Sequence, residues 1–393
     1  MNTLTFFSNY FNHHQKALCD AFSDLLGSGF TFVETMPMES FRAGMGWGED
    51  SPGYVLRTYE SAENEEHAKE LALSSDLVIM GTAPEYYIEP RLRENRIIFR
   101  YSERPLKEGF IKFFIPRLTK KYLHLHVSNR KKNIYVLAAS AYTSYDFKKM
   151  FKSYPDKCYK FAYFPKHLSY DFDALVARKK KCEAAAGAVT ILWTGRMIRL
   201  KRADLLIKAA AQLKAKGYDF RLKFVGDGNK KEELMALCDR RGLSEVTTFE
   251  GFVKPDEARE RMADSEIYVC TSNRLEGWGS VIYESLNAGC AVIASHACGA
   301  TPWLVKDNET GMVYRSGSVR SLADRLERLL KDEKLRIRLG KAAYEQMSEQ
   351  WNPEVAAERT VGLCEALSHG KDTPYTEGPC SFAPVIKDNW YKE

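Results

Sequence analysis

The sequence predicts an α/β protein built from two doubly wound parallel sheets, and three observations carry that expectation. Short apolar runs rich in β-branched and aromatic residues alternate with longer stretches of helical period along most of the chain, the pattern that gives parallel strands covered by helices. At 393 residues the chain exceeds what one hydrophobic core usually serves, so two domains of roughly 150 to 200 residues are expected. The runs also fall into two sets on either side of a charged, aperiodic stretch from Phe164 to Ala188.

In the first set the runs are Leu4 to Ser8, Phe30 to Thr35, Asp76 to Gly81, Arg96 to Tyr101 and Asn133 to Ser140. The second set runs Ala188 to Gly195, Arg221 to Gly228, Ile267 to Ser272, Ala291 to His296 and Met312 to Ser316. Helical period shows between them, as in ADLLIKAAAQLKAKG, where Leu205, Leu206, Ala209, Ala210 and Leu213 recur at three and four residues and Gly217 can stop the helix. The expected organisation is a Rossmann-like domain over residues 1–166, a linker over 167–187, a second Rossmann-like domain over 188–351, and a terminal helix and tail over 352–393 that can return to the first domain. In sheets of this kind ligands bind beyond the carboxyl ends of the strands. Two such sheets facing each other therefore predict a site in an interdomain cleft.

With 45% hydrophobic and 28% charged residues the chain has an ordinary globular composition. Nine cysteines, with no CxxC pair, point away from a zinc module or a disulfide framework and toward reduced thiols. The N-terminus MNTLTFFSNYFNHHQ lacks the pattern of a signal peptide, and no run of about 18 apolar residues is present. A cytoplasmic protein is expected.

Charge is unevenly spread. From Arg91 to Lys132 there are thirteen Lys or Arg against three Asp or Glu, a local +10, which leaves the rest of the +6 chain at −4. At its centre Phe110, Ile111, Phe113, Phe114 and Ile115 interleave with Lys112, Arg117, Lys120 and Lys121. Such a segment either lies on an anionic membrane surface, placing the protein peripherally on the inner face of the plasma membrane, or packs as an amphipathic helix on its own domain. Nucleic-acid binding is disfavoured, because no recognisable motif accompanies the charge.

The chemistry-bearing motifs lie in the second half. IYVCTSNRLEGWGSVIYESLNAG reads as strand, loop and helix. Gly277 and Gly279 allow tight backbone geometry, and Ser280 is the expected N-cap of a helix starting at Val281. Free amides at such a start attract phosphate, with Glu276 before the helix and Glu284 one turn into it, placed to grip hydroxyls on either side of a diphosphate. WTGRMIRLKRAD supplies Arg196 and Lys201, with Arg199 and Arg202 nearby, as counter-charges for that diphosphate. The plainer alternative is a set of solvated charges at a helix start, which the helix dipole disfavours. FVGDGNKKEEL gives a Gly226-Asp227-Gly228 turn that is a weak dinucleotide fingerprint, since Lys231 stands where a third glycine would, but Gly226 and Asp227 are still expected to lie by a nucleotide.

The ordered set of Gly195-Arg196, Lys201, Val225-Gly226-Asp227-Gly228, Gly251-Phe252-Val253, Glu276, Glu284 and the following NAGCAVIASHACGATPWLVKDNETGMVY resembles the C-terminal half of the family-four retaining glycosyltransferases, which have the GT-B fold. The resemblance runs from about Val189 to Leu367. It implies that Arg196 and Lys201 bind the diphosphate of a UDP- or GDP-sugar donor, that Glu276 contacts the donor sugar, and that Glu284 binds the ribose. It further implies that backbone near Gly279 and Ser280 holds phosphate and that Phe252 and Val253 lie by the base. The first half departs from the family: no glycine pair follows the first strand, and Ser102, Glu103 and Arg104 stand where relatives carry a histidine. FRYSER and NHHQ are similar to a subgroup of bacterial capsule and surface-polysaccharide enzymes. On that basis Glu103 is expected to face the acceptor and His13 or His14, with Arg104, to line the cleft, against core or capping roles for the same residues.

The implied reaction moves a hexose-type sugar with retention to a hydroxyl of a glycan or lipid-linked acceptor, with no cofactor and no metal. Three alternatives stay open: a nucleotide-sugar 2-epimerase of the same architecture, a catalytically silent nucleotide-sugar-binding protein at the membrane surface, and a metal-dependent transferase using Asp171 and Asp173.

Overall fold

The computed structural model describes residues 1–39, 52–110 and 114–392. Ile111, Lys112 and Phe113 of the basic segment lie outside these residues. The chain divides into two compact units, one formed by Met1–Lys166 with Gln350–Lys387 and the other by His167–Glu349 with Asp388–Glu393.

The first unit begins with β1 (Leu4–Ser8), α1 (His13–Leu26), β2 (Phe30–Glu34), β3 (Val55–Arg57), α2 (Ala62–Ser74), β4 (Leu77–Met80), α3 (Glu89–Arg93), β5 (Ile98–Ser102), α4 (Pro116–Tyr122), β6 (Ile134–Ala138), α5 (Thr143–Lys149) and β7 (Cys158–Lys160). The strands pair in parallel in the order β3-β2-β1-β4-β5-β6-β7. β1 and β4 are buried throughout, which explains their mostly apolar sequence: a parallel strand covered on both faces has no polar side to show. Asn12 caps α1, its side chain accepting from the His14 amide at 2.9 Å.

The second unit comprises α6 (Phe172–Ala186), β8 (Thr190–Thr194), α7 (Ala203–Ala215), β9 (Arg221–Val225), α8 (Lys231–Arg240), β10 (Thr247–Gly251), α9 (Pro255–Ala263), β11 (Ile267–Cys270), α10 (Ser280–Asn287), β12 (Ala291–Ser295), α11 (Thr301–Leu304), β13 (Met312–Tyr314), α12 (Val319–Lys331) and α13 (Glu333–Glu349). Its parallel sheet runs β10-β9-β8-β11-β12-β13. The periodic residues of α7, Leu205, Leu206, Ala209, Ala210 and Leu213, are all buried against this sheet's core with Trp193 and Phe224, each leucine contributing about 2 kcal/mol. The chain then enters α14 (Pro353–Ser368), capped by Asn352, which packs on α1 of the first unit.

Two expectations need correction. The stretch 167–187 is not a linker: α6 occupies most of it, belongs to the second unit, and buries Leu175 and Lys179, whose ammonium donates to the Met262 and Ser265 carbonyls at 2.9 and 2.6 Å. Asp171 caps this helix, accepting from the Ala174 amide at 2.9 Å, and Asp173 lies in its first turn. Both aspartates thus have a helix-start role, and among the described residues no cluster of three His, Cys, Asp or Glu is arranged to hold a metal. The sheets also contain β3, β7 and β10, three edge strands outside the ten expected runs. No helix among the described residues is long and apolar enough to cross a membrane.

Candidate functional site

The second unit builds its site where its strand order reverses. β8 leads outward to β9 and β10 on one side, while β11, β12 and β13 continue on the other, so the loops leaving β8 and β11 part at their carboxyl ends and open a crevice there. Backbone hydrogen bonds stitch the surrounding loops together. The Gly195 amide donates to Val225 O at 2.9 Å, Met197 to Asp227 O at 2.7 Å, Gly226 to Gly251 O at 2.7 Å and Asn273 to Leu200 O at 2.9 Å. The glycines at 226 and 228 are required by this closeness. With φ of +124° and +154°, an added Cβ would fall 2.0 Å from Gly195 O and 2.5 Å from Met197 O respectively.

Lys201 ends a 3-10 turn after β8, and its position is fixed from the β11 side, where Thr271 Oγ1 donates to Lys201 O at 2.5 Å while accepting from Trp193 Nε1 at 2.9 Å. Its ammonium reaches Glu276 Oε2 at 2.5 Å, an oxygen that also accepts from Ser272 Oγ at 3.0 Å. Burial alone would depress the lysine, but the Glu276 carboxylate outweighs it and holds the ammonium above its ordinary pKa. Arg196, by contrast, is exposed, and its guanidinium makes no hydrogen bond or ion pair with any described residue.

Glu284 lies on α10 and is largely buried. Arg259 of α9 donates to its Oε1 at 2.8 Å, while Arg259 also donates to Asp256 at 2.7 Å. Burial pushes the Glu284 carboxyl up, with Arg259 opposing that shift. Its Oε2 accepts no hydrogen bond from any described residue, which leaves an acceptor for a hydroxyl.

The start of α10 differs from the expectation. Gly279, not Ser280, is the N-cap: it takes φ +94° and contributes no side-chain cap, and Ser280 is the first helical residue. A side chain at 279 would meet Cys298 Sγ at 2.6 Å, so only glycine lets the preceding loop pass, and the first-turn amides of α10 start without a competing side-chain acceptor. Gly277 lies in the same loop. Phe252 is half exposed just past β10, beside the Gly251 carbonyl that receives the Gly226 amide, and Val253 follows it. Asp227 is exposed, receives the Gly228 amide at 2.7 Å and pairs with Lys231 at 3.0 Å; Lys231 and then the Gly228 amide hold its carboxyl below the usual range. Arg202 pairs with Asp204 in the first turn of α7 and so matches the plainer reading of charges at a helix start.

In the first unit the geometry brings together His13, His14, Tyr163 and Glu103. The two imidazoles lie 3.9 Å apart between ring centres, and His14 lies 6.3 Å from Tyr163. Burial, then the neighbouring Glu103 carboxylate, keeps the Tyr163 phenol protonated, and Lys107 binds Glu103 at 3.2 Å. Arg104 does not join them. It is buried, forks onto Asp146 at 3.0 and 3.3 Å and stacks over Tyr142 at 4.8 Å, while Asp146 also accepts the Leu106 amide. Arg104 is therefore a core residue that fixes the turn after β5. Sequence reasoning missed Arg259, Ser272 and Thr271. Arg259 sits in a polar helix among other charges, and no spacing relates it to Glu284.

Two doubly wound parallel units of seven and six described strands, with a phosphate-suited helix start at the switch point of the second, define a GT-B protein. The fold is shared with HepE of Anabaena in complex with UDP, which superposes over 93% of this chain and all of its own with a TM-score of 0.67 at 17% identity, and with WaaG, a glycosyltransferase involved in lipopolysaccharide biosynthesis (90% and 98%, TM-score 0.61, 18% identity). Residues 177–346 form a Glycosyl transferases group 1 domain. Similar curated proteins are the alpha-D-kanosaminyltransferase of Streptomyces kanamyceticus, 30% identical over 173 residues and 44% of each chain, and the lipopolysaccharide core biosynthesis glycosyltransferase LpsE of Rhizobium meliloti, 28% identical over 185 residues, 47% of this chain and 52% of LpsE. The match spans about half the length of these relatives.

Proposed function

We propose that the protein is a retaining glycosyltransferase that moves a hexose-type sugar from a UDP- or GDP-sugar to a hydroxyl of a glycan or lipid-linked acceptor in bacterial surface-polysaccharide synthesis. The observation that carries the reading is the pairing of Lys201 with Glu276 across the switch point, beside an uncommitted Arg196. The group 1 domain and a relative named for lipopolysaccharide core biosynthesis support it.

In this reading Arg196, Lys201 and the first amides of α10 hold the diphosphate, Glu284 Oε2 accepts from the ribose, Phe252 and Val253 flank the base, and Glu276 meets the sugar. The bond between the sugar's anomeric carbon and the diphosphate oxygen loosens toward an oxocarbenium ion. Arg196 and Lys201 stabilise the negative charge growing on the leaving group. The acceptor oxygen bonds to the anomeric carbon on the face the diphosphate leaves, and its proton passes to a phosphate oxygen, so no covalent enzyme intermediate and no metal are required. Glu103 faces the acceptor.

Thermal-shift titration with UDP, GDP and their sugars tests donor binding, since a ligand held at about 100 times its Kd raises stability by about 2.7 kcal/mol. Sugar transfer to extracted lipid-linked acceptors, with and without EDTA, tests the reaction. Arg196→Ala and Glu284→Ala variants that fold and transfer at the wild-type rate would overturn the site.

A further inference from the structure

We propose that Trp390 and Tyr391 are positioning residues of the donor site: on the reading that the first amides of α10 hold a diphosphate, the two rings clamp His296 and, through the loop from β12 to α11, fix where those amides point. Trp390 and Tyr391 belong to the second unit, although the stretch before them pairs within the first, where the Cys380 and Ala383 amides donate to the Lys160 and Cys158 carbonyls at 2.8 and 2.9 Å. Both rings meet the imidazole of His296, the residue that follows β12. Tyr391 stacks on it at 5.6 Å between ring centres with 23° between the planes, and Trp390 lies edge-on at 6.4 Å and donates from Nε1 to His296 O at 3.3 Å. The Tyr391 hydroxyl donates to Val313 O of β13 at 2.8 Å and accepts from Arg325 Nη2 of α12 at 2.9 Å, while Arg325 Nε donates to the same Val313 carbonyl at 3.1 Å. The stacked tyrosine is thus tied to the sheet and to a helix at once.

From His296 the contacts run to the start of α10. The His296 amide donates to Tyr314 O at 3.0 Å, and its Nδ1 accepts the Ser316 amide at 2.9 Å, a role that burial protects by lowering the imidazole pKa. Two residues on, the fully buried Cys298 donates its amide to Ser295 O at 3.1 Å and its thiol to Trp278 O at 3.0 Å. The Ala300 amide donates to the same Trp278 carbonyl at 2.9 Å. Trp278 directly precedes Gly279, the N-cap of α10, and the Cys298 sulfur lies 2.6 Å from where a Cβ on residue 279 would stand. The Trp278–Gly279 peptide is therefore oriented from residues 298–300, and its orientation sets the direction of the amides that open α10. Donors aimed in advance at a phosphate are worth far more than donors that must be reordered on binding.

The elements beside this loop are short, α11 with four residues and β13 with three, so neither gives it the rigidity of a long packed element. Local packing has to supply it, and the two aromatic rings do so on the His296 side. An aromatic cover for the edge strand β13 alone would stabilise the whole unit evenly. A clamp acts on residues 296–300 and the start of α10 in preference to the rest.

The test is N-ethylmaleimide labelling of the full chain, resolved by peptide mass spectrometry, beside calorimetric titration with UDP, UMP, GDP and GMP. In Trp390→Ala with Tyr391→Ala, Cys298 is expected to label about tenfold faster or more, because a buried thiol reacts through local opening. Cys238, buried on α8 of the same unit, is expected to keep its wild-type rate. The advantage of a nucleoside diphosphate over its monophosphate in binding is expected to shrink about tenfold, as for one lost hydrogen bond to a charged group. His296→Ala is expected to reproduce both effects, and adding it to the double variant to change little more, since the three side chains act as one unit. Trp390→Phe with Tyr391→Phe, which keeps the rings on His296, is expected to restore the slow labelling of Cys298. Equal acceleration at Cys238 and Cys298, wild-type labelling of Cys298 in the alanine double variant, or an undiminished diphosphate advantage would each overturn the proposal. Failure of the wild-type chain to bind UDP or GDP strikes the donor reading, and with it the part of the proposal that concerns the diphosphate, while the labelling ratio still decides the clamp.

Discussion

Lys201 and Glu276 meet at 2.5 Å although they leave the sheet on different strands, one after β8 and the other after β11. Both are largely buried, so removing either leaves a charge without its counter-ion, which costs about 3 kcal/mol. Lys201→Ala and Glu276→Ala are each expected to lower stability by about that amount. The double variant should lose clearly less than the sum, because neither charge is left behind. Urea unfolding of the four proteins measures the coupling, and strict additivity would mean that the pair is not formed in solution.

Glu284 makes a different contribution. Arg259 engages only Oε1, so the other oxygen is available to a ribose. A hydrogen bond to a charged group contributes about 1.5–3 kcal/mol, so Glu284→Ala should weaken UDP or GDP binding by roughly tenfold to a hundredfold. Arg259→Ala should push the Glu284 carboxyl further up, because burial is then unopposed, and weaken nucleotide binding as pH falls. Calorimetric titration across pH measures both effects, and unchanged affinity in Glu284→Ala would remove the ribose assignment.

These contrasts mark what the sequence could disclose. The interior strands β1, β4, β8, β11 and β12 are buried on both faces and so appear as predominantly apolar runs. β3 and β7 are edge strands of three residues each and β10 reads TTFEG, so none presents an apolar run long enough to mark it. Lys201, Glu276 and Glu284 stand out in the sequence because each follows a strand or lies in the first turns of a helix at a recognisable motif, and the structure pairs the first two. Arg259 and Ser272 act on them through tertiary contact, which leaves no spacing to find. Arg104 misled for the converse reason, since a charge after a strand looks available until Asp146, 42 residues away, is seen to neutralise it.

That neutralisation gives a prediction for the first unit. Arg104→Ala removes the guanidinium that neutralises the buried Asp146 carboxylate and is expected to cost about 3–5 kcal/mol. Glu103→Ala, on a partly exposed side chain, should stay within about 1 kcal/mol of wild type. If Glu103 faces the acceptor, that variant keeps donor binding and loses transfer. Chemical denaturation paired with donor titration separates the two residues.

Glycine substitutions discriminate between close approach and mere backbone freedom. Gly226→Ala and Gly228→Ala drive a methyl into the 195–197 backbone, and neither loop can yield without breaking the bonds between them. Each is expected to cost more than about 4 kcal/mol and to abolish nucleotide binding. Gly217 also has positive φ, +85°, but a Cβ there meets nothing within 4 Å, so Gly217→Ala should cost only about 1 kcal/mol. Thermal unfolding ranks the three.

The π turn Leu123–Val127 that follows α4 should open in acid. Burial, reinforced by Arg100 and Lys121, pushes the His126 imidazole down to about 3, against an ordinary value of about 6.5. Nδ1 lies 2.9 Å from the Tyr154 hydroxyl, with Phe147 and Tyr154 packed around the ring. Because the folded value is depressed, the opened segment takes up a proton that the closed one refuses. The stability of the closed turn is therefore complete above about pH 6.5 and falls as pH drops toward about 3, by about 1.4 kcal/mol per unit at its steepest. Amide exchange over residues 123–130, corrected for the intrinsic pH dependence, should accelerate in that window. In His126→Phe, which keeps an aromatic ring but cannot titrate, the same amides should lose the slope; a slope that persists would place the responsible proton elsewhere.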